Sequence, residues 1–440
     1  MHTLAVARTV HGTEPLVAAE IHRSRLGSVR GLRHREVWFD TADPGPGLLG
    51  LRTADDVLLV AAVVDGVGHG RLALRRLSAA ARALRALRAL PPRPLPHRDA
   101  LGVEVSATFV GRRAYTRHDI EDAVGAELGR RLRLPYHSRT GGAVPPAGCL
   151  AFRVTIEGER AVIGLRLAAR PLHRRPYKLG SVPGSLHPPL AAAMAALARL
   201  DGARTVLDPC CGAGTTLLEA AALAPHARFL GLDHNPAAIT AATTNATHLH
   251  TAPTPSFDGM TPTGDGPAPD RPRSPENGHT PRTPAETRPG GPLRPESADA
   301  HRPPAGEPAV TRAPAEELAA AGAVSRADGP VAVASGGFWW GVADGGRVPL
   351  GDGVVDRVLV NPPWGRQVAA GGLLAGDPGR LWREVRRVLA ADGLVVALVH
   401  DGVPDGFTVR ERVRVSLSGR HPELVVLSPG RARARTGRGR

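Results

Sequence analysis

The sequence predicts an α/β protein in two parts: a mostly parallel sheet covered by helices in the second half, and an α+β module before it. Two observations predict this arrangement. From residue 202 onward, short apolar runs alternate with helix-like stretches, and a polar residue follows several of these runs directly. Residues 1–170 show a different order of predicted elements, because short strand-like runs there flank helical stretches. The 440 residues leave room for two or three domains.

Composition narrows the class of protein. The formal net charge is +15, which favours a polyanionic partner such as nucleic acid. Lys178 is the only lysine, and so strong an arginine bias is also typical of a GC-rich genome. We expect no transmembrane span and no secretory signal, since the apolar runs are short and the N-terminus lacks the required pattern. The three cysteines (Cys149, Cys210 and Cys211) have no C-x-x-C spacing, so we expect no disulfide framework, no metal site and a cytoplasmic location.

The first part, residues 1–170, is predicted as an α+β module with strands near 36–39, 57–60, 102–105 and 152–156. A linker is predicted at 171–190. Residues 191–430 are predicted as the catalytic domain, with a basic tail at 431–440.

An insertion divides the second half. Of the 80 residues at 251–330, 17 are proline and 9 are glycine, and Phe257 is the only aromatic residue. Such a composition cannot bury enough apolar surface to offset chain entropy, so we expect a disordered segment.

Around this insertion we predict strands at 205–207, 228–232, 338–342, 355–360 and 394–399, with helices from 215, 236 and 381. The carboxyl ends of parallel strands share one edge of a sheet, which is where ligands bind in such folds.

A glycine-rich turn follows the first of these strands, in the sequence Asp208-Pro-Cys-Cys-Gly-Ala-Gly-Thr215. Glycines there let a ligand lie against the backbone and the start of the next helix. A dinucleotide fold would need a third glycine, and Leu217 stands in its place. Asp233 ends the next strand and can accept hydrogen bonds from ribose hydroxyls, while Asp344 follows a third strand and can receive an adenine amino group.

A second motif, Asn361-Pro-Pro-Trp-Gly365, follows the strand at 355–360. The prolines fix the backbone, so that the Asn361 side-chain oxygen and the Pro362 carbonyl can both accept hydrogen bonds from one exocyclic amino group. Trp364 offers a flat face for stacking a base. Asn361 stands 153 residues after Asp208, or 73 once the insertion is subtracted, which suits the fourth strand of the run, next to the strand that ends at Asp208.

These residues resemble the Rossmann-like class I methyltransferases that modify exocyclic or amide nitrogens. The resemblance covers about residues 186–430 without the insertion. It implies S-adenosyl-L-methionine as the cofactor and Asn361, Pro362 and Trp364 as catalytic residues. The cofactor residues it implies are Asp208, Cys210, Gly212, Gly214, Thr215, Asp233, Asn235 and Asp344. Related enzymes with this motif act on DNA adenine, on RNA guanine or adenine, or on protein glutamine.

The first half is similar to a THUMP RNA-binding domain in two stretches, 51–57 and 105–117, and residues 173–177 and 183–191 resemble the junction in THUMP-containing RNA methyltransferases. This resemblance implies a monomeric tRNA (guanine-N2)-methyltransferase, with rRNA as the alternative substrate. A binding protein that kept the fold without turnover is the alternative of another class. The RNA contacts we expect are Arg112, Arg113, Tyr115, Arg117, Arg174 and Arg175. The chain departs from the family in its long insertion and in Trp364, where Tyr or Phe is commoner.

Overall fold

The computed structural model describes residues 2–84, 100–251, 333–335, 337–363, 368–400, 402–417 and 419–430. These residues form two sheets, one of seven strands and one of eight. The predicted insertion, from residue 252 on, and the basic tail lie outside the described residues. Among the described residues, no helix is both long enough and apolar enough to cross a membrane.

The first sheet has the strand order β2-β3-β1-β4-β7-β6-β5, and among its neighbouring pairs only β5 and β6 are parallel. Its strands are β1 (Thr3–Arg8), β2 (Ser28–Arg33), β3 (Glu36–Thr41), β4 (Asp56–Val64), β5 (Gly102–Phe109), β6 (Cys149–Glu157) and β7 (Arg160–Arg166). Its helices are α1 (Glu14–Arg23), α2 (Leu72–Ala83) and α3 (Arg117–Leu132), with short 3-10 turns at Pro46–Gly50 and Thr140–Gly142. The start of α3 is fixed by a capping box, because Thr116 and Asp119 each bond the other's backbone amide.

The second sheet has the order β10-β11-β9-β8-β12-β13-β15-β14. Its strands are β8 (Thr205–Asp208), β9 (Arg228–Asp233), β10 (Val333–Ser335), β11 (Phe338–Val342), β12 (Val355–Val360), β13 (Leu389–Val399), β14 (Phe407–Arg414) and β15 (Glu423–Pro429). Its helices are α4 (Pro188–Leu197), α5 (Thr215–Ala221), α6 (Pro236–Thr251), α7 (Leu373–Gly376) and α8 (Gly379–Val388).

The centre of this sheet is parallel, as the sequence predicts. β8 pairs with β9 on one side and with β12 on the other, and both pairings are parallel. The prediction that the strand before Asn361 lies next to the strand ending at Asp208 is therefore confirmed. The chain runs from β8 outward through β9 to β11 and then returns to the other side of β8 with β12, so the sheet has its topological switch point between β8 and β12.

The first sheet ends at Arg166, and α4 already begins at Pro188, inside the predicted linker of 171–190. Nine of the ten residues of α4 are buried, which makes it part of the core beneath the second sheet. The connection between the two sheets thus becomes a core helix before the predicted linker ends.

Candidate active site

A cleft of about 200 Å³ opens at the carboxyl ends of the central strands. Predicted site residues from four different strand ends line it together, and the motifs at 208–215 and 361–363 therefore face the same space. The predicted residues that line it are Asp208, Cys210, Gly212, Thr215, Asp233, Asn235, Asp344, Asn361 and Pro362. Trp364 lies outside the described residues.

Asp208 holds the glycine-rich turn in shape. Its carboxylate, which is 1% exposed, accepts hydrogen bonds from the Cys210 amide at 3.0 Å and from the Thr216 hydroxyl. Burial raises the pKa of Asp208 to about 7, although these two hydrogen bonds lower it. Asp208 thus stabilises the turn through these two hydrogen bonds, although burying its negative charge is unfavourable.

The two glycines of the turn differ in their surroundings. Gly212 has a φ of +53° and lines the cleft, so that its bare backbone faces the ligand space. Gly214 has a φ of +77°, and a Cβ there would stand 2.7 Å from the buried ring of Trp340. Gly214 does not line the cleft; it lets the turn pack on Trp340 instead.

Asp233 links the second strand end to this turn. One carboxylate oxygen accepts from the Gly212 amide at 2.9 Å and the other from the Asn235 amide at 3.0 Å. Asn235 in turn caps the first turn of α6, because its side-chain oxygen accepts from the Ala237 amide at 3.0 Å. Each Asp233 oxygen has two lone pairs, so the carboxylate can still accept hydrogen bonds from two adjacent hydroxyls.

Asp344 lines the cleft just after β11. Its two oxygens accept from the backbone amides of Gly346, at 2.7 Å, and Leu373, at 2.6 Å. These contacts fix the loop after β11 against the start of α7. Asp344 is therefore positioned by two amides at the cleft wall.

One wall of the cleft was not predicted from the sequence. Residues 182–186, inside the expected linker, line the cleft together with the strand ends. The Asn361 side-chain amide donates to the Gly184 carbonyl at 3.4 Å, which orients it toward this wall. In the sequence, this segment is distinguished only by its resemblance to a family junction, which predicts no role in the site.

Asn245 on α6 holds this wall in place and was also missed. It is fully buried, and its side-chain oxygen accepts from the amides of Leu179, at 2.9 Å, and Gly180, at 2.8 Å. Its amide group donates to the carbonyls of Gly180 and Ala213, both at 3.0 Å. One side chain thereby ties the 179–186 segment to the glycine-rich turn.

A buried carboxylate connects the cleft to the first module. Glu219, on the helix that follows the turn, is 0% exposed and accepts from Arg52 at 2.7 Å, from Arg175 at 2.8 Å and from the Tyr177 hydroxyl at 2.6 Å. Burial would raise the pKa of Glu219, but the two guanidinium groups hold it below its ordinary value. The available signal was a lone charge in the apolar run Leu217-Leu-Glu-Ala-Ala221.

The expected RNA contacts separate into two groups. Arg112, Arg117 and Arg174 are exposed. Tyr115 is only 3% exposed and donates its hydroxyl to the Gly68 carbonyl, so it cannot stack on a base without leaving the core. Arg175 is held against Glu219, and Arg113 donates to carbonyls of its own module at Gly68 and Gly158. The structure therefore corrects the expectation for Tyr115 and Arg175, whose contacts are structural.

Comparisons with known proteins agree with this geometry. Residues 175–260 match the RMKL-like methyltransferase domain of the UPF0020 family. The chain is 35% identical over 221 residues to the tRNA (guanine(6)-N2)-methyltransferase of Thermus thermophilus, covering 49% of this chain and 59% of that protein. It is 36% identical over 75 residues to the ribosomal RNA large subunit methyltransferase K/L of Aliivibrio fischeri, covering 17% of this chain and 11% of that protein. The chain thus spans less than two thirds of the length of either relative.

Among solved structures, TrmN from Thermus thermophilus matches with a TM-score of 0.60 and 25% identity, over 98% of this chain and 100% of that one. The prediction of a Rossmann-like methyltransferase fold is confirmed. The matched residues, 175–260, include the glycine-rich turn, Asp233 and Asn235. The assignment of a THUMP domain to residues 1–170 stays a prediction, as do the domain boundaries.

Proposed function

We propose that this protein transfers a methyl group from S-adenosyl-L-methionine to N2 of a guanosine in RNA, with tRNA as the substrate. One observation carries the proposal: the glycine-rich turn at 212–214 and the acceptor motif at 361–363 follow neighbouring parallel strands and border one cleft. A methyl donor and an amino acceptor bound at these two places would meet at the switch point of the sheet.

The residues of the cleft suit this cofactor. Gly212 presents only backbone atoms to the cleft. A Cβ added to it would lie 3.5 Å from its nearest neighbour, a side-chain atom of Val182. Asp233 offers paired acceptors for ribose hydroxyls, and Asp344 lines the same cleft and can accept from the adenine amino group. Bound there, the cofactor supplies a methyl group already activated by its positive sulfur, so the chain need not provide a nucleophile.

The acceptor motif then has a positioning role. Two consecutive prolines restrict the backbone after β12, and the Asn361 side-chain oxygen and the Pro362 carbonyl accept the two hydrogens of the guanine amino group. Both acceptors draw the hydrogens aside and turn the nitrogen lone pair toward the methyl group. They would also stabilise the positive charge that grows on the nitrogen as its bond to the methyl carbon forms and the carbon–sulfur bond breaks, after which the nitrogen would lose one proton to water. A guanine stacked in an RNA double helix cannot reach the acceptor motif inside the cleft, so the base must be unstacked first.

The RNA substrate is supported from two sides. One curated relative is named as a tRNA methyltransferase and the other as a ribosomal RNA methyltransferase, and the tRNA enzyme matches over a longer stretch. Three exposed arginines, Arg112, Arg117 and Arg174, offer cations to a phosphate backbone. We place the protein in the cytoplasm, acting as a monomer. A protein-glutamine substrate would leave these arginines without a role.

The test uses the full chain, labelled S-adenosyl-L-methionine and separated, unmodified tRNA and rRNA, followed by nucleoside mass spectrometry. We expect N2-methylguanosine in tRNA. Label confined to rRNA would move the assignment to the second substrate, and no label in either would favour a protein that binds without turnover.

Asn361→Ala tests the mechanism itself. We expect methyl transfer to fall by at least about 100-fold, because one of two acceptors at the reacting amine is lost. Cofactor binding should persist because Asn361 does not contact the cofactor in this mechanism, and most RNA binding should persist because phosphate contacts outside the cleft supply most of the affinity. A variant with normal turnover would refute the mechanism.

A further inference from the structure

Outside the cleft, three potential metal ligands converge at the junction between the two sheets. Asp55 immediately precedes β4, His173 lies in the connection, and His187 immediately precedes α4. One ligand atom from each residue lies within 4.8 Å of the other two. The sequence places His173 and His187 14 residues apart and Asp55 118 residues before His173, so only the fold brings them together.

Two of these ligand atoms are buried without a hydrogen-bond partner. They are Asp55 Oδ1 and His187 Nδ1, which belong to a small group of such atoms among the described residues. The two atoms stand 3.6 Å apart. Buried polar atoms are normally satisfied, and this separation is close to that between neighbouring ligands of one metal ion.

The third ligand is oriented by a backbone contact. His173 Nδ1 lies 3.3 Å from the Asp55 carbonyl, to which it can only donate, so its Nε2 is left as the acceptor. A ring nitrogen bonded to a carbonyl is the usual second contact of a metal-bound histidine. The His173 and His187 rings are 5.3 Å apart between centroids and tilted by 36°, so they are not stacked face to face.

Part of the positive charge around the cluster is paired with carboxylates. Arg8, Arg35 and Arg175 are near enough to act on Asp55 or His187. Arg8 is paired with Glu36 and Glu157, and Arg175 with Glu219.

We propose that Asp55, His173 and His187 bind one divalent transition-metal ion, with Zn²⁺ as the expected ion, and that the ion fastens the first module to the catalytic domain. Two imidazoles and a carboxylate are a ligand set that Zn²⁺ accepts, with a fourth position left to solvent. The sequence predicted no metal, since that expectation rested on cysteine spacing alone. His187 connects the ion to the catalytic domain, because it directly precedes the buried helix Pro188–Leu197.

The test is a Co²⁺ titration of the full chain after treatment with EDTA, followed by displacement with Zn²⁺. We expect one equivalent of Co²⁺ to bind with the visible absorption of a low-symmetry nitrogen and oxygen site, and Zn²⁺ to raise the melting temperature. His187→Gln should weaken Co²⁺ binding by at least about tenfold, because even the loss of a contact to a ligand costs that much.

His11→Gln is the matched control. It removes a histidine from another close pair, His11 and His34 of the first module, whose ring centroids are 4.3 Å apart, and it should leave Co²⁺ affinity unchanged. Both variants are compared with the parent by circular dichroism in EDTA, so that misfolding is separated from ligand loss. Equal Co²⁺ affinity in the parent and His187→Gln would overturn the proposal. Stabilisation by inorganic phosphate, with none by Zn²⁺, would also overturn it and would assign the junction to an anion bound by the arginines.

Discussion

Replacing Glu219 with alanine should destabilise the protein more than any surface charge removal. The carboxylate is fully buried and accepts hydrogen bonds from Arg52, Arg175 and Tyr177. Its loss leaves two guanidinium groups facing an uncharged pocket. Breaking a buried ion pair by removing one partner costs about 3–5 kcal/mol. The Arg52 side chain is 27% exposed and regains some hydration, so we expect the lower end, about 3 kcal/mol.

Urea unfolding of the parent and of Glu219→Ala, fitted with a common slope, measures this difference. Glu411→Ala is the control. A guanidinium nitrogen of Arg199 lies 3.7 Å from a carboxylate oxygen of Glu411, and the two side chains are 66% and 40% exposed. Such a surface pair contributes at most about 1 kcal/mol. If Glu219→Ala loses no more stability than this control, the three contacts do not hold the modules together as we infer.

Three further predictions concern the cleft. Gly231→Ala should cost about 1–3 kcal/mol in unfolding free energy, because its Cβ would overlap the buried ring of Trp340, and Trp340→Phe in the same chain should recover part of the loss. Asn245→Ala should weaken S-adenosyl-L-methionine binding about tenfold in calorimetry, since four backbone groups around the cleft lose their partner; unchanged affinity would show that the wall is held otherwise. Asp208 has a raised folded-state pKa of about 7, so the folded state retains a proton that the unfolded state releases, and stability from this group falls as pH rises from about 4 to 7. The unfolding free energy of Asp208→Asn, measured in urea relative to that of the parent, should therefore rise by roughly 2 kcal/mol between pH 5 and pH 8. A difference between the two proteins that stays constant with pH would contradict the burial argument.

The sheet and the strand ends could be predicted because their signals are local. The segment Val355–Val360 shows the apolar pattern of a buried strand, and Asn361 and the prolines after it mark where the strand ends. Right-handed crossovers and a parallel sheet then force the strand ends to one edge. The neighbouring positions of β8 and β12 followed from spacing once the insertion was subtracted.

The missed residues depend on contacts between distant segments. Asn245 stands in an ordinary helix, and only the fold shows that its amide meets residues 179 and 180. Glu219 depends on Arg52, 167 residues earlier in the chain. Tyr115 was misjudged for a related reason: an aromatic residue among arginines is typical of RNA contact, but its burial is decided by packing in the first core.

The Glu219 contacts also limit how the two halves of this chain can be exchanged with those of other proteins. A chimera that replaced the first module would have to bring an arginine to the position of Arg52. Without it, the second half would keep a buried carboxylate with one cationic partner fewer, on the helix that follows the glycine-rich turn. Recombination at this junction should therefore favour donors whose first module carries an arginine at the position of Arg52.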